Sequence, residues 1–378
     1  MKDRIYVCHT YYHVYVACLK ELNLEREKRG NATLIMSTMS NDFGDLEARA
    51  KACGLFEAVY MFEEKEDVNF PEIMKYHVDR GNLFFNLLAR IRYTKLLGKA
   101  QEPYVPVDFR EYKDIYVFCD SDPIGYYLSY KRIHYHALED GLDCISTYDT
   151  ARYDNRGHFK LKAFLASLNL IFIQNGWGKY CLDMEVNDIS VLPYPCPKYI
   201  EKSRQELADA LTKEDQALLV RLFIANIGEV QEKLATGKDN ILLLTEPLCE
   251  LSVRERIFRD CIDLYGQIEG AASVILIKPH PRDLLDYEGK FSEHIVLDRK
   301  FPMEVLNYIE GLTFRRVISV FTVVRNIRFA QEIVYLGEDF MDQYEDPKLH
   351  RQNEVISSAG TNPSGKSCSH EFDRQMKF

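Results

Sequence analysis

Short apolar runs recur along the chain, and most of them are followed by a turn and by a segment with helical spacing. Regular alternation of such strands and helices is typical of α/β proteins with parallel sheets. Helices are predicted for 12–29 and 71–97. The runs that predict buried strands in the first half are 4–8, 32–37, 114–119 and 133–138.

The second half repeats the pattern. A helical segment is predicted for 206–234 and a further helix for 323–332. Two sets of alternating elements predict two Rossmann-like domains that face a central cleft. The runs that predict buried strands in this half are 240–244, 273–277, 295–297 and 317–320.

A polar stretch, 147–157, lies between the two halves and has the Asp, Asn, Arg and Gly content of an exposed connection. With 378 residues the chain exceeds what one hydrophobic core usually organises, so two domains are expected. The sequence therefore predicts an N-terminal domain 1–157, a C-terminal domain 158–356 and a polar tail 357–378.

Composition narrows the classes of protein to consider. The chain is 46% hydrophobic and 28% charged, and no window is apolar for long enough to span a membrane. Its first residues lack the length and the cleavage site of a signal peptide, so we expect a cytoplasmic protein. A formal charge of −10 argues against a nucleic-acid partner. The ten cysteines lack the spacing of a zinc site, and we expect reduced thiols.

The helix predicted for 71–97 ends in a basic segment that contains Arg90, Arg92, Lys95 and Lys99. Such a segment is typical of a solvated helix face, and it also suits an anionic membrane surface. Peripheral association with the inner face of the membrane therefore stays open, as does a homodimer.

An acidic turn follows the strand predicted for 133–138. Open parallel sheets bind ligands at the carboxyl ends of their strands, so this turn lies where a ligand is expected. In Glu139-Asp140-Gly141 the glycine permits a sharp turn, and the two acids project toward the cleft. The carboxylate of Asp140 can act as a general base. A turn or a helix cap is the structural alternative.

The turn Lys278-Pro279-His280-Pro281 follows the strand predicted for 273–277. Because a residue before proline is pushed into an extended conformation, the two prolines hold His280 stiffly at the end of the strand. A stiff histidine beside a lysine suits an anion or a nucleotide. A purely structural histidine is the alternative.

Two further strand ends in the second half carry polar residues. Ser319 and Thr322 precede a predicted helix, and hydroxyls with free amides at a helix start are typical of a phosphate site. A plain helix cap explains them equally well. The strand predicted for 240–244 is followed by two carboxylates, Glu246 and Glu250.

Taken together, the acidic turn, the Lys-Pro-His-Pro turn and the later Ser/Thr turn resemble the bacterial sialyltransferases. They are most similar to glycosyltransferase family 52, the lipooligosaccharide and capsule sialyltransferases, over residues 5–345. The resemblance implies a GT-B type fold and an inverting, metal-independent transfer of sialic acid from CMP-sialic acid to a cell-surface glycan. It therefore implies a nucleotide-sugar donor and an oligosaccharide acceptor as partners, and no cofactor.

The resemblance also implies roles for individual residues. Asp140 corresponds to the catalytic base and His280 to the catalytic partner of the leaving group. Some relatives carry a functional carboxylate in the second domain, so Glu246 and Glu250 stay open as secondary candidates for the base. The residues that the resemblance places at the donor are Glu139, Gly141, Lys278, Pro281, Ser319 and Thr322.

Three other functions are alternatives to sialyl transfer. Asp120 and Asp122 form an Asp-x-Asp pair like the one that holds a divalent ion in metal-dependent sugar transferases, but the second sheet argues against their single-domain fold. A CDP-glycerol-dependent glycerophosphotransferase of the teichoic-acid type would also use a His-Pro turn and release CMP. A non-catalytic nucleotide-sugar-binding protein is disfavoured because an acid, a histidine and hydroxyls occur together.

Overall fold

The structure, a computed structural model, divides into two compact units. The first is Met1–Ala210, and the second begins at Leu211. The residues that the structure describes are 1–39, 41–118, 120–140, 158–190, 196–234, 239–268, 271–322, 324 and 327–346.

The first unit contains a seven-stranded parallel sheet with the strand order β3-β2-β1-β4-β5-β6-β7. The order reverses direction between β1 and β4, which is the point where doubly wound sheets bind ligands. The strands are β1 Lys2–Cys8, β2 Ala32–Ser37, β3 Phe56–Phe62, β4 Tyr112–Phe118, β5 Tyr135–Leu138, β6 Cys181–Val186 and β7 Tyr199–Glu201.

Buried apolar runs form the centre of this sheet. All six residues of β2 are buried, as expected for a parallel strand that is covered on both faces. Val7, Val117 and Ala137, on three neighbouring strands, belong to one core cluster. The helices of this unit are α1 Tyr11–Leu22, α2 Leu46–Ala52, α3 Pro71–Met74, α4 Leu83–Ala100, α5 Pro123–Lys131, α6 Phe159–Ser167 and α7 Arg204–Asp209.

The boundary predicted near residue 157 is wrong. The connecting stretch itself lies outside the described residues, but β6 pairs with β5 and β7 pairs with β6 in the first sheet. Backbone hydrogen bonds thus continue the first unit to Ala210. The tail predicted for 357–378 also lies outside the described residues.

The second unit contains a five-stranded parallel sheet with the order β12-β11-β8-β13-β14, and β9 pairs with β10 in a separate antiparallel ribbon. The strands are β8 Asn240–Leu244, β9 Gln267–Ile268, β10 Ala271–Ala272, β11 Val274–Lys278, β12 Ile295–Val296, β13 Phe314–Ser319 and β14 Ala330–Tyr335. The helices are α8 Lys213–Phe223, α9 Ile227–Leu234, α10 Leu251–Tyr265, α11 Tyr287–Lys290 and α12 Gly337–Met341.

Two predicted helices of the second half differ from the structure. The segment 206–234 is split into α7, α8 and α9, because Thr212 begins a new helix with a capping box that it forms with Asp215. The helix predicted for 323–332 is wrong, since β14 starts at Ala330 and pairs with β13. Most of β14 is exposed, so it lacked the apolar run that predicts a buried strand.

In the described ranges, no helix is both long enough and apolar enough to cross a membrane.

Candidate active site

Histidines and carboxylates of the first unit gather at the carboxyl ends of its strands. His9 directly follows β1, Glu64 lies two residues after β3, Asp122 follows β4, and Asp140 follows β5. His13 lies in the first turn of α1, whose N-terminal cap is Thr10. These residues, His9, His13, Glu64, Asp122 and Asp140, are called the first-unit site below.

His13 and Asp140 form a hydrogen bond between Nε2 of the ring and Oδ1 of the carboxylate. The ring is fully buried and stacks on Phe118, whereas 27% of the Asp140 side chain is exposed. The backbone N–H of His9 donates to Nδ1 of His13 at 3.0 Å. Because Nδ1 accepts, the proton of a neutral ring lies on Nε2, and His13 donates to Asp140.

His9 is a buried cation of the same site. Its Nε2 lies 2.7 Å from Glu64 and 3.4 Å from Asp122. Burial lowers the pKa of His9, but the charges of these two carboxylates outweigh burial and raise it to about 9. His9 is therefore positively charged at neutral pH.

Glu64 connects three elements of the first unit. One carboxylate oxygen accepts from His9 and from the hydroxyl of Ser37, and the other accepts from the backbone N–H of Ile124. Ile124 lies in the first turn of α5, where unpaired N–H groups favour a negative charge. Glu64 thus fixes the start of α5 against the end of β3.

Asp120 has structural partners. It is buried and accepts from the hydroxyl of Tyr135 at 3.0 Å and from the backbone N–H of Asn175 at 2.7 Å. A Cβ atom at Gly125 would lie 1.9 Å from the carbonyl oxygen of Asp120, so only glycine permits this close approach of α5. The two residues of the Asp-x-Asp pair therefore contact different partners. Asp120 accepts from the backbone N–H of Asn175, whereas Asp122 lies beside the ring of His9.

Glu139 and Gly141 flank Asp140 in the acidic turn. Glu139 was expected to contact the donor, but it is buried and accepts from the backbone N–H of Asn187 at 2.6 Å. This carboxylate instead ties the end of β5 to the end of β6. Gly141 lies outside the described residues.

Sequence reasoning missed His9, His13 and Glu64. A signal for the two histidines was present, because they are separated by four residues directly after the first predicted strand, with a capping residue, Thr10, between them. Glu64 carried no such signal, since β3 itself was not predicted.

The second unit also brings its motifs together at strand ends. Glu246 and His280 lie in the turns after β8 and β11, and Ser319 is the last residue of β13; β8 lies between β11 and β13 in the sheet. Arg254 links two of these turns, because its guanidinium donates to the carbonyl of Leu248 and to the carboxylate of Asp283. This arrangement agrees with the expectation that the motifs share one edge.

His280 is a neutral hydrogen-bond donor in this turn. The backbone N–H of Arg282 donates to Nδ1 of His280 at 3.2 Å, which leaves the ring proton on Nε2. Burial, followed by the positive charges of Arg282 and Lys278, lowers the pKa of His280 to about 3. The backbone N–H of His280 donates to the hydroxyl of Thr245, so the two neighbouring turns are joined.

Lys278 does not face solvent, contrary to its expected contact with the donor. Its ammonium is buried, donates to the carbonyls of Pro279 and Arg299, and lies 4.4 Å from the centre of the Phe301 ring. Burial lowers its pKa to about 7. Its environment is that of a side chain that holds the turn.

Arg282 is a second cation of this turn. Its side chain is partly exposed, and no carboxylate or carbonyl in the described part of the chain accepts from its guanidinium. A planar guanidinium without a protein partner is suited to bind a phosphate or a carboxylate. Pro281, between His280 and Arg282, is also partly exposed and makes the turn rigid.

The expected phosphate anchors, Ser319 and Thr322, contact protein groups. The Ser319 hydroxyl donates to the carbonyl of Thr322 at 2.9 Å. One carboxylate oxygen of Glu246 accepts from the hydroxyl of Thr322 and from the backbone N–H groups of Phe321 and Thr322. A carboxylate thus occupies the amides that were expected to bind phosphate, and residue 324 is not helical.

The two secondary candidates for the base differ in environment. Glu246 is buried, and burial raises its pKa while the donors of the Thr322 turn offset part of that effect. Glu250 is exposed at the start of α10 and makes no side-chain cap hydrogen bond.

The model of the family described as Glycosyltransferase family 52 matches residues 58–329, which is more than half of the chain. A curated protein from Haemophilus influenzae, described as uncharacterized, is 35% identical over 115 residues. That match covers 29% of this chain, and the chain spans only 35% of the length of that relative.

Several solved structures share the fold. An α/β-galactoside α-2,3-sialyltransferase from Photobacterium phosphoreum is 12% identical, with a TM-score of 0.54 and 94% of both chains covered. The GT-B domain of a sialyltransferase from Photobacterium damselae is 12% identical, with a TM-score of 0.50, and the match covers 95% of this chain and 97% of that one. A 2,6-sialyltransferase from Photobacterium sp. JT-ISH-224, in complex with CMP and lactose, is 9% identical, with a TM-score of 0.54. The match covers 96% of this chain and 77% of that one.

At these identities the solved structures establish the architecture, and the family model establishes the relationship. The fold is of the GT-B type, with two units that each contain a parallel sheet. The chain belongs to glycosyltransferase family 52.

Proposed function

We propose that this glycosyltransferase moves sialic acid from CMP-sialic acid to an oligosaccharide acceptor. The observation that carries the proposal is the pair formed by Asp140 and His13 at the carboxyl edge of the first sheet. This pair provides a partly exposed carboxylate in a fixed orientation. His280 and Arg282 provide hydrogen-bond donors and positive charge in the second unit.

Asp140 is the general base in this proposal. Its carboxylate accepts from a buried, neutral imidazole, and this contact favours the ionised, proton-accepting form. Hydrogen bonding from His13 uses one oxygen, and the partly exposed side chain can take a proton from the acceptor hydroxyl as that hydroxyl attacks the sugar. His13 acts through Asp140 and is a positioning residue.

His280 and Arg282 stabilise the leaving group. As the glycosidic bond to CMP breaks, negative charge grows on the phosphate oxygens. A neutral His280 donates its Nε2–H to such an oxygen, and the guanidinium of Arg282 can form charge-assisted hydrogen bonds with it. A phosphate next to His280 would also favour the protonated ring.

Glu246, Ser319 and Thr322 then have an indirect role. Their hydrogen bonds hold the turn after β13 beside the turn after β8. A direct phosphate contact by these hydroxyls would require Glu246 to leave the amides of the turn. We therefore assign the phosphate to His280 and Arg282 first.

The transfer is proposed to invert the anomeric carbon and to need no metal. A single attack by a hydroxyl that Asp140 deprotonates leads to inversion. Positive charge from Arg282 serves the phosphate, the usual partner of a divalent ion in metal-dependent transferases. Asp120, half of the Asp-x-Asp pair, already has two protein donors.

The acceptor is proposed to be a cell-surface glycan of the lipooligosaccharide or capsule type. The protein would act in the cytoplasm, at the inner face of the membrane where such glycans are assembled, and a homodimer is compatible with this role.

A donor screen tests the proposal. Release of CMP from CMP-sialic acid, of CMP from CDP-glycerol and of UDP from UDP-sugars is measured with and without EDTA. We expect CMP-sialic acid to be consumed at a rate that EDTA does not change. If only CDP-glycerol is turned over, the protein is a glycerophosphotransferase and the proposal is wrong. Strict dependence on manganese would assign catalysis to Asp122. Binding of CMP without any turnover would indicate a nucleotide-sugar-binding protein.

A further inference from the structure

Two helices of the first unit, α4 and α6, are basic although the chain as a whole is acidic. The chain has 58 acidic and 48 basic residues, yet neither helix contains an aspartate or a glutamate. Their charged residues are all arginine or lysine. Basic helices on an acidic protein are suited to an anionic partner.

The exposed face of α4 is apolar in its first turns and basic in its last turns. Phe84 and Phe85 are 63% and 56% exposed, and Leu88 is 46% exposed. Further along the same face, Arg92 and Lys95 are also exposed. Large exposed apolar side chains in a row are unusual on the surface of a monomer and mark an interaction site.

The structure changes which part of the basic segment is available. Arg90 is 5% exposed and belongs to the interior. Lys99 is exposed and extends the row of cations to the last turn of α4. The sequence alone therefore identified the charge of the segment but not the face that presents it.

α6 presents a similar face. Leu161 and Phe164 are 51% and 60% exposed, Leu168, the C-terminal cap of the helix, is 49% exposed, and Lys160 beside them is exposed. The apolar side chains are spaced by three and four residues, so they lie on one side of the helix.

The two helices pack on one buried cluster. Leu87 and Ile91 of α4 and Phe159 and Leu165 of α6 contact the cluster that contains Ile173. The two helices therefore lie close together on the first unit, and their exposed residues form neighbouring parts of its surface. The residues of this α4–α6 face are Phe84, Phe85, Leu88, Arg92, Lys95, Lys99, Lys160, Leu161, Phe164 and Leu168.

We propose that the α4–α6 face binds the surface of a bilayer that contains anionic phospholipid. The phenylalanine and leucine side chains enter the boundary between headgroups and acyl chains, and the lysine and arginine side chains contact phosphate groups. The proposal rests on the peripheral location proposed above and not on the sugar that is transferred.

Charge favours a bilayer over a second copy of this chain. A symmetric dimer through this face would place the basic rows of two copies, each with Arg92, Lys95 and Lys99, in one interface. Like charges in that position repel, whereas an anionic leaflet neutralises them.

Co-sedimentation of the full chain with lipid vesicles tests the proposal. Vesicles of phosphatidylcholine are compared with vesicles that also contain phosphatidylglycerol. We expect binding to the anionic vesicles only. Lys95→Glu/Lys99→Glu should weaken it by about 100-fold, and Phe84→Ser/Phe85→Ser by about 10- to 100-fold. Leu264→Glu, a change at a 64% exposed leucine of α10, is the matched control and should bind like the parent.

Three results would overturn the proposal. One is equal binding of the parent and both double variants, and another is equal binding to vesicles with and without phosphatidylglycerol. A third is a parent dimer in sedimentation velocity that Phe84→Ser/Phe85→Ser converts to monomer, because a second copy would then cover the face. Release of CMP by the same variants in the absence of lipid is measured separately, so a wrong donor assignment and a wrong membrane surface give different results.

Discussion

Each unit places a histidine after the carboxyl end of a parallel strand, yet the two histidines have opposite protonation states. His9, which is buried, follows β1, and His280, which is partly exposed, follows β11. Carboxylates around His9 raise its pKa to about 9, while burial and neighbouring cations lower the pKa of His280 to about 3.

The difference shows that neighbouring charges, and not the strand-end position, decide what each site can do. The first-unit site is rich in carboxylates, so it suits removal of a proton from an acceptor. The site in the second unit has Arg282 and a neutral donor, so it suits an anion. The following predictions test this division of roles.

The largest effect is expected for Asp140→Asn. This change keeps size and polarity but removes the proton acceptor, so transfer should fall by roughly 10²- to 10⁴-fold while CMP still binds. The transfer rate is measured for the variant and the parent, and the CMP affinity of both is measured by calorimetry.

Asp183→Asn is the matched control for Asp140→Asn. Asp183 accepts from His136 at 2.8 Å and is 27% exposed, as Asp140 is, but it lies within β6 and away from the carboxyl ends of the strands. Its variant should transfer at the parent rate. If Asp140→Asn also does so, Asp140 is not the base and Glu250 becomes the first alternative.

The second prediction concerns the stability of the first-unit site. Glu64→Gln leaves the His9 cation without its closest carboxylate, so the free energy of unfolding should fall by about 3–5 kcal/mol. Urea denaturation measures the change. Glu57→Gln, at an exposed position of β3, should have almost no effect, and equal stability of the two variants would contradict a buried ion pair.

The third prediction sharpens the role of the second unit. Arg282→Ala and His280→Ala should each weaken CMP binding by about 10- to 100-fold, because each removes a hydrogen bond to a charged group. His280→Gln retains a side-chain N–H donor and should lose less affinity. Arg315→Ala, at an exposed site of β13, is the control, and a parent-like CMP affinity in Arg282→Ala would remove this residue from the donor site.

The smallest effect is a dependence of stability on pH. Because the folded-state pKa of His9 lies above its ordinary value, its protonated form stabilises the fold below about pH 6.5, and this contribution is lost as the pH rises through about 9. Between pH 7 and 9 the loss should amount to about 2 kcal/mol.

A comparison of variants isolates this effect. Lys278, whose pKa burial lowers to about 7, acts in the opposite sense over the same range. The free energy of unfolding is therefore measured against pH for the parent and for His9→Gln, and the difference between them should shrink toward pH 9. A constant difference would show that His9 is neutral in the folded protein.

Much of the architecture was predictable from apolar runs. The strand predicted for 32–37 matches β2, and the one predicted for 240–244 matches β8, because both are buried along their whole length. β7 and β14 were missed, since only one residue of β7 is buried and most of β14 is exposed. An exposed edge strand needs no apolar run, so its place in the sheet leaves little trace in the local sequence.

The candidate site divides in the same way. The sequence predicted that the acidic turn and the His-Pro turn follow strands, and this placement identified Asp140 and His280 as candidates. The sequence could not show which of Lys278 and Arg282 is exposed. The two residues are only four positions apart, so the sequence places both of them at the turn. Packing against Phe301 buries one cation and leaves the other partly exposed.

The sequence by itself determined the class of fold, the buried strands and the presence of chemically suitable residues at their ends, because these depend on local patterns of apolar and polar residues. Tertiary structure alone decided that His13, 127 residues before Asp140 in the chain, donates to it, and that Glu246 occupies the amides of the Thr322 turn. Such contacts depend on strand order and on the orientation of side chains in the packed sheet, and a hydrogen bond between distant residues leaves no periodic signal in the sequence.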